Sequence, residues 1–122
     1  MLKIYKDLKF WQTANEVTLS VIKLARKLPK DKISYIFVNQ IIRSAASVGA
    51  NIAEGYGRFR GKEYARFIQI ALGSANETDY WLSLIKNCFP HYSREVELII
   101  AKNEESIKML TVTLRKLRSK KY

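Results

Sequence analysis

The chain has little of what most enzymes depend on. His91 is its only histidine and Cys88 its only cysteine. One cysteine excludes an intramolecular disulfide, and with one histidine it leaves no ligand set for a zinc. A nucleophilic Cys88–His91 pair has no third group to orient it. Cys88 is therefore expected as a small buried hydrophobe beside Phe89, and His91 as a loop residue. The string GYGRFRG at 55–61 has glycines at the wrong offsets for a phosphate loop, and it follows a helical pattern rather than a strand. Glu54 and Glu77 are not accompanied by a Glu-x-x-His motif, so no di-metal bundle site is implied. No catalytic residue, cofactor or metal is expected.

Other scarcities shape the fold. There are two prolines and five glycines, too few for a loop-rich chain. No apolar run approaches the roughly 20 residues of a membrane span, and the opening MLKIYKDLKFWQ has no apolar signal core. No membrane partner is expected, and the lone thiol fits a reducing cytoplasm. Acidic residues are half as frequent as basic ones, 11 against 22, leaving a formal charge of +11. Such a surplus favours anionic partners, nucleic acid first.

What the chain does have is helical periodicity. Its 122 residues fit one domain. Pro29, the glycines from Gly55 to Gly61, and Pro90 divide it into four long pieces. In the first, Trp11, Ala14, Val17, Val21, Leu24 and Leu28 recur at three- and four-residue spacing, with Asp7 as the expected cap. The second, expected to be capped by Ser34, carries two parallel stripes, Phe37-Ile41-Ala45-Val48-Ile52 and Val38-Ile42-Ala46-Gly49-Ala53. Its small residues predict a thin helix at the centre of the packing, ended by the glycines. Tyr64, Phe67, Ala71, Ser74, Thr78, Trp81 and Ile85 mark the third. Val96, Ile99, Ile100, Ile107, Leu110, Leu114 and Leu117 mark the fourth, with Ser93 as cap. No segment alternates with a two-residue period. The expectation is all-α: an antiparallel up-down-up-down four-helix bundle with helices over about 8–28, 35–55, 62–87 and 93–118.

The charge is uneven. Residues 1–35 carry eight cations and three anions, and residues 93–122 carry eight and four, whereas 61–92 balance at three and three. The most suggestive stretch is Asn51 to Arg66, where Arg58, Arg60, Lys62 and Arg66 alternate with Tyr56, Phe59 and Tyr64. Basic side chains interleaved with rings suit a phosphate backbone with stackable bases. The same residues also suit a solvated helix–turn–helix corner. Candidate nucleic-acid contacts are Tyr56, Arg58, Arg60, Lys62 and Arg66 in the turn, Lys27, Lys30 and Lys32 after the first helix, and Arg115 and Arg118 in the fourth. Arg43, Asn51, Glu54 and Glu77 are read as structural polar residues. Tyr5, Phe10, Trp11, Tyr80, Trp81 and Phe89 exceed what one small core readily hides, so one of the two Trp-bearing faces is expected to meet another subunit, with a lone bundle core as the alternative.

Three segments carry a family resemblance: DLKFWQTA at Asp7 to Ala14, IIRSAASVGANIAEGYGR at Ile41 to Arg58, and KEYARFIQIALGSANET at Lys62 to Thr78. To about Ile85 the chain resembles the four-helix bundle proteins of the 23S rRNA intervening-sequence family. That family is similar in fold to the accessory variability determinants of diversity-generating retroelements. The resemblance implies a homopentameric barrel with a basic surface and no enzyme chemistry. For the retroelement relatives it also implies binding to nucleic acid and to a reverse transcriptase. The expected function is backbone binding of RNA or DNA by a homo-oligomer, accessory to a reverse transcriptase or associated with rRNA. The alternative is a protein-interaction scaffold.

Overall fold

The computed structural model describes residues 4–58 and 61–119. A single 3-10 turn at Tyr5–Asp7 precedes α1 (Lys9–Ala25), α2 (Lys32–Gly57) and α3 (Gly61–Cys88). A second 3-10 turn at Pro90–Tyr92 leads into α4 (Ser93–Ser119). There is no strand among the described residues, and no helix there is long and apolar enough to cross a membrane.

The helix starts differ from three expectations. Asp7 does not cap α1; its carboxylate accepts the Ile4 N–H at 3.0 Å and closes the 3-10 turn instead. Leu8 occupies the cap position without a side-chain bond. At α2 the cap is Asp31, whose extended backbone lets its Oδ1 accept the Ser34 N–H at 2.9 Å. Helix α2 therefore begins at Lys32, and Ser34 is buried inside it. Helix α1 stops at Ala25 rather than near residue 28. The next turn tightens, Lys27 N–H reaching the Leu24 carbonyl at 2.9 Å, and Leu28 still covers the core. Ser93 already has helical dihedrals, so it opens α4 from within rather than capping it from outside.

The four helices form a bundle in which each packs on two others: α1 on α2 and α4, and α3 on α2 and α4. No helix is central, contrary to the expectation for α2. Its small residues admit neighbours on one side, where Trp11 lies over Gly49. Ala46 and Ala50 remain exposed, lining an open groove of about 240 Å³ with Asn15 and Thr18.

The core has two halves. Ala14, Val48, Ile52, Tyr64, Ile68, Ala71, Leu110 and Leu114 fill one. Val17, Val21, Leu24, Ile41, Leu82, Ile85, Val96 and Ile99 fill the other. Each fully buried Leu, Ile or Val stabilises the fold by about 1.5 to 3 kcal/mol.

Candidate nucleic-acid interface

The corner between α2 and α3 is built by close packing. Ile52 is fully buried, and Asn51 folds back, its amide donating to the Ser47 carbonyl at 2.8 Å and to Ser47 Oγ at 2.9 Å. A Cβ on Gly55 would lie 2.6 Å from Phe67 Cβ and 3.3 Å from the Tyr64 ring. Only glycine lets the two helices approach so closely. Gly55 therefore does not end α2, which continues through Gly57.

The corner's aromatics and first arginine are engaged with one another. Tyr56 is half-buried, its ring edge-on to Tyr64 at 6.1 Å. Burial, and secondarily Tyr56, pushes the Tyr64 phenol pKa above its usual 10.0 and keeps it neutral. Arg58 donates through Nε to Glu54 Oε2 at 2.9 Å, and its guanidinium lies 5.4 Å from the Phe67 ring centroid. Lys62 and Arg66 are exposed on the first turns of α3. Arg60 and Phe59 lie outside the described residues.

The polar residues predicted as structural lie along the α2–α3 contact or at its end. Arg43 donates to Gln40 and Glu77, and Trp81 Nε1 donates to Glu77 Oε2 at 2.9 Å. Deeper in, Thr78 Oγ1 donates to the Ser74 carbonyl at 2.8 Å and lies 2.9 Å from Ser44 Oγ. Ser47 and Ser74 hydroxyls are 3.0 Å apart. Asn103 of α4 is 1% exposed and donates to the Ala75 carbonyl at 2.9 Å. Sequence reading passed over Asn103 and Ser106. Both sit on the heptad-like stripe between Ile99 and Leu110, and a polar residue in phase with a core stripe was the available signal.

The remaining cations divide by position. Arg115 is exposed near the end of α4, and Arg118 donates to Gln69 of α3. These two, with Tyr56, Arg58, Lys62 and Arg66, occupy the bundle end that holds Tyr64 and Leu114. Lys27, Lys30 and Lys32 lie at the opposite end. Lys27 pairs with Glu95 at 2.9 Å, and Tyr92 OH donates to its carbonyl. Lys30 reaches the Arg26 carbonyl at 3.4 Å.

Between the ends lies an acidic waist that sequence reading missed. Glu16, Glu77, Asp79, Glu104 and Glu105 there outnumber Arg43, Lys102 and Lys108. Lys102 stands 3.4 Å from Glu16 and 3.5 Å from Glu105, and its hydrogen bond to Glu16 and the charge of Glu105 raise its pKa.

Among the described residues no group of three His, Cys, Asp or Glu side chains is arranged to hold a metal. Cys88 is exposed, contrary to its expected burial, because α3 ends there and turns it away from the core. It lines an apolar groove with Ile33 and Phe89. His91 is exposed with its ring edge-on to Tyr92. Of the aromatics expected at a surface, Tyr80 is exposed, whereas Tyr5, Phe10, Trp11, Trp81 and Phe89 are half-buried.

Known proteins place this arrangement. A crystal structure of a protein with unknown function from the S23 ribosomal protein family, from Bacteroides thetaiotaomicron, is similar with a TM-score of 0.78 and 28% identity. The match covers 86% of this chain and 97% of that one. No curated protein matches. The family model described as 23S rRNA-intervening sequence protein matches residues 6–112, the stretch that contains the α2–α3 corner and its polar seam, and the chain belongs to that family.

Proposed function

We propose that the protein is a non-enzymatic, basic four-helix bundle that binds RNA or DNA through the phosphate backbone as a homo-oligomer. One observation carries this reading. Lys62, Arg66 and Arg115 are exposed, and among the described residues no carboxylate lies within ion-pairing distance of them. Glu54 and Glu63 also stand at this end, but Arg58, Lys62, Arg66, Arg115, Lys116 and Arg118 outnumber them, and a local cation surplus suits phosphates. The family's description, a protein of 23S rRNA intervening sequences, makes rRNA one candidate to test, without naming a ligand. Resemblance to the retroelement accessory proteins adds a reverse transcriptase as a candidate partner. The exposed Cys88 thiol suits a cytoplasmic setting.

An antiparallel up-down-up-down course is supported by opposed contact series. Gly55, Ser47 and Arg43 meet Phe67, Ser74 and Glu77. Lys27 and Glu16 meet Glu95 and Lys102. The resemblance supports a ring-like homopentamer. The exposed Ile33, Ile36 and Tyr80, beside half-buried Phe37 and Trp81, supply an apolar face for subunit contact.

Titration with RNA of arbitrary sequence at several salt concentrations tests the binding. Affinity should fall steeply with salt, with a log–log slope of about four or more if several phosphates are contacted. No binding at low salt would refute it. Light scattering tests the assembly, and Ile36→Glu with Tyr80→Glu should dissociate it. The same apolar face favours a second reading, a protein-interaction scaffold. A partner retained in pull-downs after nuclease treatment would support that reading instead.

A further inference from the structure

Cations are in excess at the two ends of the bundle, whereas acids outnumber Arg43, Lys102 and Lys108 in the middle. At one end Lys62, Arg66, Arg115 and Lys116 are exposed; at the other, Lys23, Arg26, Lys30 and Lys32. Lys32 and Arg58 bracket α2, whose 26 residues set the poles about 40 Å apart at 1.5 Å per residue. The Debye length at physiological ionic strength is about 8 Å, so each pole acts on a phosphate independently of the other. On the α1–α4 face, a backbone running from pole to pole would pass Glu16, Glu104 and Glu105, two of which already hold Lys102. Repulsion there disfavours one continuous track along that face.

We propose that the protein bridges two separate nucleic-acid segments, one held at each pole, with the acidic waist keeping them apart. This inference rests on backbone binding as the function, and it names the geometry of the partner: two backbone segments rather than one. All eight cations are exposed, so neutralising either set should leave the fold intact, as circular dichroism will show.

The test uses two 20-base-pair RNA duplexes of arbitrary sequence, one immobilised and one fluorescent, alongside anisotropy titration of a single duplex. The wild type should capture the fluorescent duplex. The variant K62Q/R66Q/R115Q/K116Q and the variant K23Q/R26Q/K30Q/K32Q should each lose capture about tenfold or more. Each should bind half as many single duplexes per protomer as the wild type, at the salt slope of the pole left intact, because one binding event uses one pole. Reduced salt slopes in both variants would show that one duplex spans both poles and would overturn the proposal. Capture surviving in either variant would overturn it too, because copies would then be joining duplexes through the same pole. Failure of the wild type to bind any single duplex refutes backbone binding itself; single-duplex binding without capture refutes only the bridging.

Discussion

The α2–α3 contact and the α1–α4 contact are built on different principles. Between α2 and α3 the helices close onto Gly55, and a seam of hydroxyls runs from Ser44 and Thr78 to Ser47 and Ser74. The seam is lidded by the Arg43–Glu77–Trp81 group. Between α1 and α4 the interior is Val17, Val21, Val96 and Ile99, and the polar links are exposed ion pairs at the rim. An apolar contact tolerates sliding, whereas a buried hydroxyl out of register loses its partner. The family-like segments from Ile41 to Arg58 and from Lys62 to Thr78 coincide with the seam. In this chain, those segments set the register of one helix pair.

Gly55 is the most sensitive position of the α2–α3 contact. Gly55→Val should cost about 3 kcal/mol or more, because the Cβ meets the base of the Phe67 side chain, which cannot yield without moving α3. The denaturant midpoint measures it. The equivalent loss for Thr78→Val is about 1 to 2 kcal/mol, since two hydrogen bonds go and the Ser44 hydroxyl loses a partner. On the α1–α4 side, Lys27→Ala should cost about 0 to 1 kcal/mol and become undetectable at high salt, as expected of an exposed pair. If Lys27→Ala proved costlier than Thr78→Val, the assignment of specificity to the seam would fail.

The smallest effect is one of pH. Burial raises the Tyr64 pKa above 10.0, so below about pH 10 its phenol is neutral in both folded and unfolded chains and its contribution is fully present. As pH rises from there toward the folded-state pKa, the unfolded chain loses this proton first and stability falls. Ultraviolet titration should show one phenol ionising late, and Tyr64→Phe should remove that component.

How much was legible depended on the physics involved. The four helices were legible because Val17-Val21-Leu24, Ile41-Ala45-Val48 and Leu110-Leu114 repeat with the helical period and Pro90 interrupts it. The caps were less so. Asp31 and Ser34 are both good capping residues, and only the folded backbone decides that Asp31 stands extended while Ser34 is drawn into the core. The binding candidates were identifiable by type but not by place. Lys27 and Lys62 look alike in a sequence, yet one is paired with Glu95 and the other stands exposed at the far end of the bundle.

The sequence by itself determined helix content, the absence of a disulfide, and the positive charge, since each follows from local periodicity or simple count. The tertiary structure decided what those elements mean. Packing four helices side by side gathers cations from Lys62, Arg66 and Arg115 at one end and from Lys23, Lys30 and Lys32 at the other. It collects Glu16, Glu77, Asp79, Glu104 and Glu105 between them. Electrostatic fields depend on distance in space, and residues such as Lys62 and Arg115 become neighbours only when α3 and α4 pack together.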